Sequence, residues 1–127
     1  MKLSLKGSGK IVLKSQNSKD KSQLKFLKIS LLNFSSLLKN ILGEKNFDKN
    51  FVLETKNILE NLEMNFSQGD DVIFFELENL EEVRNLIETF LRISAKDDDG
   101  LSLEFRKIMN SVFSAISKIL DFSNSHL

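Results

Sequence analysis

Leu3, Leu5, Ile11 and Leu13 alternate with polar residues at a period of two, on either side of Gly7-Ser8-Gly9. That alternation predicts a β-hairpin over residues 2–14, because successive side chains of a strand point to opposite faces. A three-residue loop sets Leu5 against Ile11 and Leu3 against Leu13, and gathers Lys2, Lys6, Lys10 and Lys14 on the other face. Glycine suits the loop because one of its positions usually takes a positive φ. Two strands alone are marginal in water, so the apolar face must pack on something.

The run Ser15–Ser22 (SQNSKDKS) reads as a polar connector. From Gln23 the period changes. Leu24, Leu27, Leu31, Phe34, Leu38 and Ile41 fall three or four apart, which predicts a helix stopped by Gly43. Phe26, Leu32, Leu37 and Leu42 spread its apolar surface around more than half the circumference. Such a helix is either central to the core or partly covered by a partner. A second helix starts near Asp48 or Asn50, both good N-caps, and carries Val52, Thr55, Leu59, Leu62 and Phe66 to Ser67, with Gly69 as its stop. A shorter helix ending near Glu60, followed by a strand through Leu62, Met64 and Phe66, is the alternative; the single helix is preferred.

Val72-Ile73-Phe74-Phe75-Glu76-Leu77 predicts a strand buried on much of both faces, completing a three-stranded sheet with the hairpin. Asn79 followed by Glu82 reads as an N-cap with its reciprocal acidic residue, opening an amphipathic helix from Leu80 to about Ser94. After a charged turn over Lys96–Gly100, apolar positions from Leu101 to Leu120 mark the last helix, ending near Phe122. The order β-β-α-α-β-α-α predicts a helix-dominated α+β fold, a small sheet on about four helices; the alternative is an all-α bundle with an N-terminal hairpin. Residues 1–127 read as one domain: a basic hairpin (1–14), a core (23–122) and a polar tail (123–127).

Composition agrees, with 41% hydrophobic and 28% charged residues, a globular balance. No apolar run reaches the roughly eighteen residues of a membrane span. The start has no apolar h-region, so no secretory signal is expected and the expected location is cytoplasmic. Cysteine is absent, which excludes disulfides, thiolate chemistry and cysteine metal sites. The lack of Pro, Trp and Tyr and the preference for Lys over Arg follow from AT-rich coding and carry no functional weight.

Charge changes the picture. Eighteen positive and eighteen negative side chains sum to zero but are segregated along the chain. Residues 1–50 carry eleven Lys against Asp20, Glu44 and Asp48, a net +8; residues 51–127 carry the balancing −8. The two parts can fold against each other, attract between subunits, or leave a basic surface for nucleic acid or another acidic partner. Lysine is a point charge without the fork that reads guanine edges, so nucleic-acid binding would be weakly sequence-specific.

Candidate chemistry is thin. The single histidine, His126, is penultimate, and no triad or histidine–cysteine metal site can be built. Gly7-Ser8-Gly9-Lys10 fails as a phosphate loop, with Ser4 where a glycine is needed and Ile11 after the lysine. Asp97-Asp98-Asp99-Gly100 fails as a calcium loop, with Ala95 at its first position and Arg106 at its twelfth. The acidic group Glu76, Glu78, Glu81, Glu82 and Glu88 reads as a solvated helix face rather than a cation seat or an acid–base pair. No cofactor, metal or small-molecule ligand is expected.

Eleven phenylalanines in a small domain leave apolar surface for a partner. The expected function is a non-enzymatic protein–protein interaction module: a small subunit, adaptor, or stoichiometric inhibitor or immunity-type partner. Lys2, Lys6, Lys10 and Lys14 would orient the partner, and Phe26, Leu37 and Leu42 would supply desolvated contact. The partner is another protein or a second copy. The alternative is a nucleic-acid-associated protein using the same lysines with Lys19, Lys21, Lys25 and Lys28.

Overall fold

The computed structural model describes residues 2–6, 9–44, 46–66, 72–96 and 103–125. Gly7, Ser8, Gly69, the Asp97–Gly100 turn and His126 lie outside the described residues. The elements are β1 (Lys2–Lys6), β2 (Lys10–Lys14), α1 (Ser18–Glu44), α2 (Lys49–Met64), β3 (Val72–Glu76), α3 (Leu77–Lys96) and α4 (Leu103–Ser125). This is the helix-dominated α+β fold with the β-β-α-α-β-α-α order that the hydrophobic pattern predicts.

The sheet is antiparallel throughout, with β2 between β1 and β3. Leu3 pairs with Leu13 and Leu5 with Ile11, the predicted hairpin register, and Ile11 and Leu13 pair onward with Phe75 and Ile73. Gly9 supplies the positive φ of the turn, at 73°. One hydrogen bond beyond the ladder, from the Leu77 N–H to the Gly9 carbonyl at 2.8 Å, ties the start of α3 to that turn.

The four helices close on one another: α1 packs on α2 and α4, and α3 packs on the same two; β3 lies against α3 and β1 against α4. One hydrophobic cluster draws on β2, β3 and all four helices. Phe34 of α1 stacks on Phe105 of α4 with centroids 6.3 Å apart, and Phe90 meets Phe47 and Phe51 in tilted contacts. Phe34, Phe90 and Phe105, which are buried, each contribute about 1.5–3 kcal/mol by leaving water.

Helix boundaries differ from the sequence reading, each for a local reason. α1 begins at Ser18 rather than Gln23. Asn17 caps it, its Oδ1 accepting the Asp20 N–H at 2.9 Å, while the Asp20 carboxylate accepts the Gln16 N–H at 2.9 Å. The polar run is therefore a reciprocal cap and first turn. Gly43 lies inside α1, one residue before its end. Residues 49–64 form a single helix capped by Asp48, so the strand through Leu62 and Met64 is not formed. α3 starts at Leu77 without a loop, which places Asn79 inside the helix instead of at its cap; its Nδ2 donates to the Ile58 carbonyl of α2 at 3.0 Å. α4 continues to Ser125 with Ser123 buried, so the predicted polar tail begins as helix.

Candidate interaction surfaces

The antiparallel register brings the predicted lysines to one face of the sheet. Lys2 pairs with Lys14 and Lys6 with Lys10; Lys2, Lys10 and Lys14 are exposed. The centre of that face is not basic. Val12 pairs with Ser4 on one side and Phe74 on the other, with Phe74 half-buried and Val12 only 6% exposed. Glu76 stands across from Lys10 at one corner. The face thus has the half-buried Phe74 near its centre, exposed lysines at the ends of β2 and at Lys2, and Glu76 at one corner. Phe74 escaped the sequence reading because its side of the sheet depends on the register between β2 and β3.

On α1, Phe26 and Leu37 are exposed as predicted, at 70% and 38%, and Ile29 and Leu32 join them. Leu42 is a correction: it is 3% exposed and belongs to the core, not to a partner surface. Eighteen residues make five full helical turns, so Leu42 repeats the angular position of the fully buried Leu24. Phe26 and Leu37 are eleven residues apart, about three turns, on the opposite side.

Beside this row runs an open groove between α1, α4 and the hairpin. Its larger part, about 610 Å³, has Leu3, Leu13, Leu27 and Ile119 as apolar lining. A smaller part, about 300 Å³, continues between Phe26 and Ile29 of α1 and Ile108 of α4. Ser111 lines both, and Lys118 and Lys107 contribute the cationic groups, one to each part. Sequence reasoning missed the groove because α1 and α4 are far apart along the chain, and their small and apolar residues face each other only after folding.

The carboxylates with shifted acidity are structural. Glu63 of α2 accepts hydrogen bonds from the buried Ser35 hydroxyl and from the Lys39 ammonium, both on α1. Burial pushes its pKa up, but the Ser35 and Lys39 hydrogen bonds and the lysine charge together outweigh burial and hold it below the ordinary 4.5. Asp20 is held low chiefly by the Gln16 N–H. Both are engaged as acceptors and positioned by their helices rather than by any cleft.

The early start of α3 puts Glu78, Glu81 and Glu82 on one helical face, all exposed, while Glu88 pairs with Arg92 at 3.8 Å. Among the described residues no three His, Cys, Asp or Glu side chains are grouped to hold a metal ion. Also among the described residues, no helix is long and apolar enough to cross a membrane.

With this geometry in view, comparison with known protein families finds no match, and comparisons with curated proteins and with solved structures find none either.

Proposed function

We propose that the chain is a non-enzymatic protein–protein interaction module, acting as a small subunit, adaptor, or stoichiometric inhibitor or immunity-type partner. The observation that carries the reading is the outer side of α1, where Phe26, Ile29 and Leu37 face solvent away from the buried stripe and Leu32 is exposed on its flank. Large apolar side chains left exposed along one helix, here with Lys25, Asn33, Ser36 and Asn40 among them, are the kind of surface a protein partner covers. The exposed Lys2, Lys10 and Lys14, with Lys6 beside them in the register, supply a field that orients an approaching acidic surface. A cytoplasmic setting is part of the proposal, since a chain without cysteine needs no oxidising compartment.

Light scattering on a sizing column, at low and high salt, tests the reading. A mass above 14.6 kDa that returns to it in the variant F26S/L37S supports an interaction through α1. A monomer at every salt concentration that also recovers no protein from its host extract overturns it.

The second reading, a nucleic-acid-associated protein, is favoured by Phe74 lying among the lysines of the sheet. An aromatic ring beside cations is an element on which a single-strand base can stack, and here the ring is the one half-buried Phe74. It requires affinity for oligonucleotides that falls steeply with salt and weakens when Lys10 and Lys14 are neutralised. Absence of binding at low salt removes it.

A further inference from the structure

We infer that the α1–α4 groove receives an amphipathic helix of a partner protein whose apolar face is flanked by Asp or Glu. The inference rests on the interaction-module reading and names the partner's chemistry. Shape comes first. Ser111, Ser114 and Ala115, spaced three and four apart, are the small residues that hollow the α4 wall, and Leu27 and Ile119 give the groove an apolar lining. Small side chains on one wall allow a second helix to approach closely, and a helix in such a groove is gripped by its i, i+3, i+4 and i+7 anchors.

Length comes next. The lining residues of α4 run from Lys107 to Ile119, twelve steps or about 18 Å at 1.5 Å per residue. That accommodates about three turns of a docked helix.

Charge selects the flank. Lys107 and Lys118 line the two parts of the groove, and among the described residues no acidic side chain lines either part. Neither lysine is in an ion pair among the described residues. Eleven residues separate them, so they share one face of α4 about 16 Å apart. A single-headed lipid anion satisfies one of them. A helix carrying acidic residues about eleven positions apart satisfies both.

The test uses an eighteen-residue fluorescein-labelled peptide with leucines at positions 4, 8, 11 and 15 and flanking glutamates, and a control with lysines in place of the glutamates. Anisotropy at low salt is expected to show the glutamate peptide binding at least tenfold more tightly than the lysine peptide. S114F, at an exposed position, fills the groove and is expected to weaken binding at least tenfold, with circular dichroism checking its fold. K107E/K118E, on the surface, is expected to reverse the preference.

Equal binding of the two peptides, no binding of the glutamate peptide, or indifference to S114F and K107E/K118E overturns the assignment. So does saturable binding of oleate that excludes the peptide, or a dimer of the chain that S114F dissolves, since the occupant is then a lipid or a second copy. If the peptide fails while the F26S/L37S-sensitive assembly persists, the groove assignment falls and the interaction-module reading stands.

Discussion

Lys39 of α1 grips both carboxylate oxygens of Glu63 on α2, at 2.9 and 3.1 Å. The pair joins the basic N-terminal part of the chain to the acidic remainder, over the fully buried hydroxyl of Ser35. Glu63→Ala strips that hydroxyl of its acceptor and is expected to cost about 1–2 kcal/mol; Lys39→Ala, at a partly exposed ion pair, is expected to cost less than about 1 kcal/mol.

The same carboxylate gives stability a pH dependence. Its folded pKa lies below the ordinary 4.5, so the folded state binds its proton less readily than the unfolded chain does. Its contribution is complete above the ordinary value and is lost as pH falls through the lower folded one. Urea midpoints measured from pH 7 to pH 3 should fall more steeply for the parent than for E63Q below about pH 4.5. Parallel curves would refute this.

Asn79 offers a second polar test. Its Nδ2 donates to the Ile58 carbonyl at 3.0 Å, while its Oδ1, also buried, has no hydrogen-bond partner. Asn79→Ala is expected to cost about 1 kcal/mol. N79D sets a buried carboxylate against a carbonyl and raises its own pKa, so at pH 7 it should cost more than about 2 kcal/mol. That extra loss should shrink as pH falls below the raised pKa, a crossing visible in thermal melts at pH 4 and pH 7.

Leu37 and Leu42 should separate surface from core. Leu42→Ala opens a cavity beneath α1 and is expected to cost about 2–5 kcal/mol. Leu37→Ser, at a partly exposed position, should cost only about 1 kcal/mol, well below the Leu42→Ala loss, and weaken partner contact. Chemical denaturation of the two variants side by side is sufficient.

The Asn17 cap predicts a modest, local loss. Asn17→Ala frees the Asp20 N–H that its Oδ1 satisfies and is expected to cost about 1 kcal/mol, whereas Asn17→Ser should retain most of the stability. Hydrogen exchange confined to the first turn of α1 would identify the loss as the cap.

Where a pattern depends on near neighbours, it could be read from the sequence. A three-residue loop determines the hairpin register, so the Leu3–Leu13 and Leu5–Ile11 pairs and the lysine face followed from spacing alone. Hydrophobic periodicity finds helix interiors but not ends: it passed over Asn17 and Asp20 because a cap is made of polar residues. Asn79 misled for the converse reason, since a residue type that caps helices is here consumed by a contact with α2. Leu42 needed its angle counted from Leu24, not merely its apolar character. Phe74 and the α1–α4 groove depend on pairings between segments distant in sequence, which no local spacing encodes.

The place of β2 in the middle of the sheet has a consequence for the order in which the protein folds. Its first neighbour, β1, is joined to it by a short turn, but its second, β3, lies beyond α1 and α2 and ends only at Glu76. A state in which the hairpin is paired but β3 has not yet docked leaves one edge of β2 with open amides and carbonyls. Lys10 and Lys14, at the two ends of that strand, then serve in another way: like charge on an open edge disfavours pairing with the same edge of a second copy until β3 closes it.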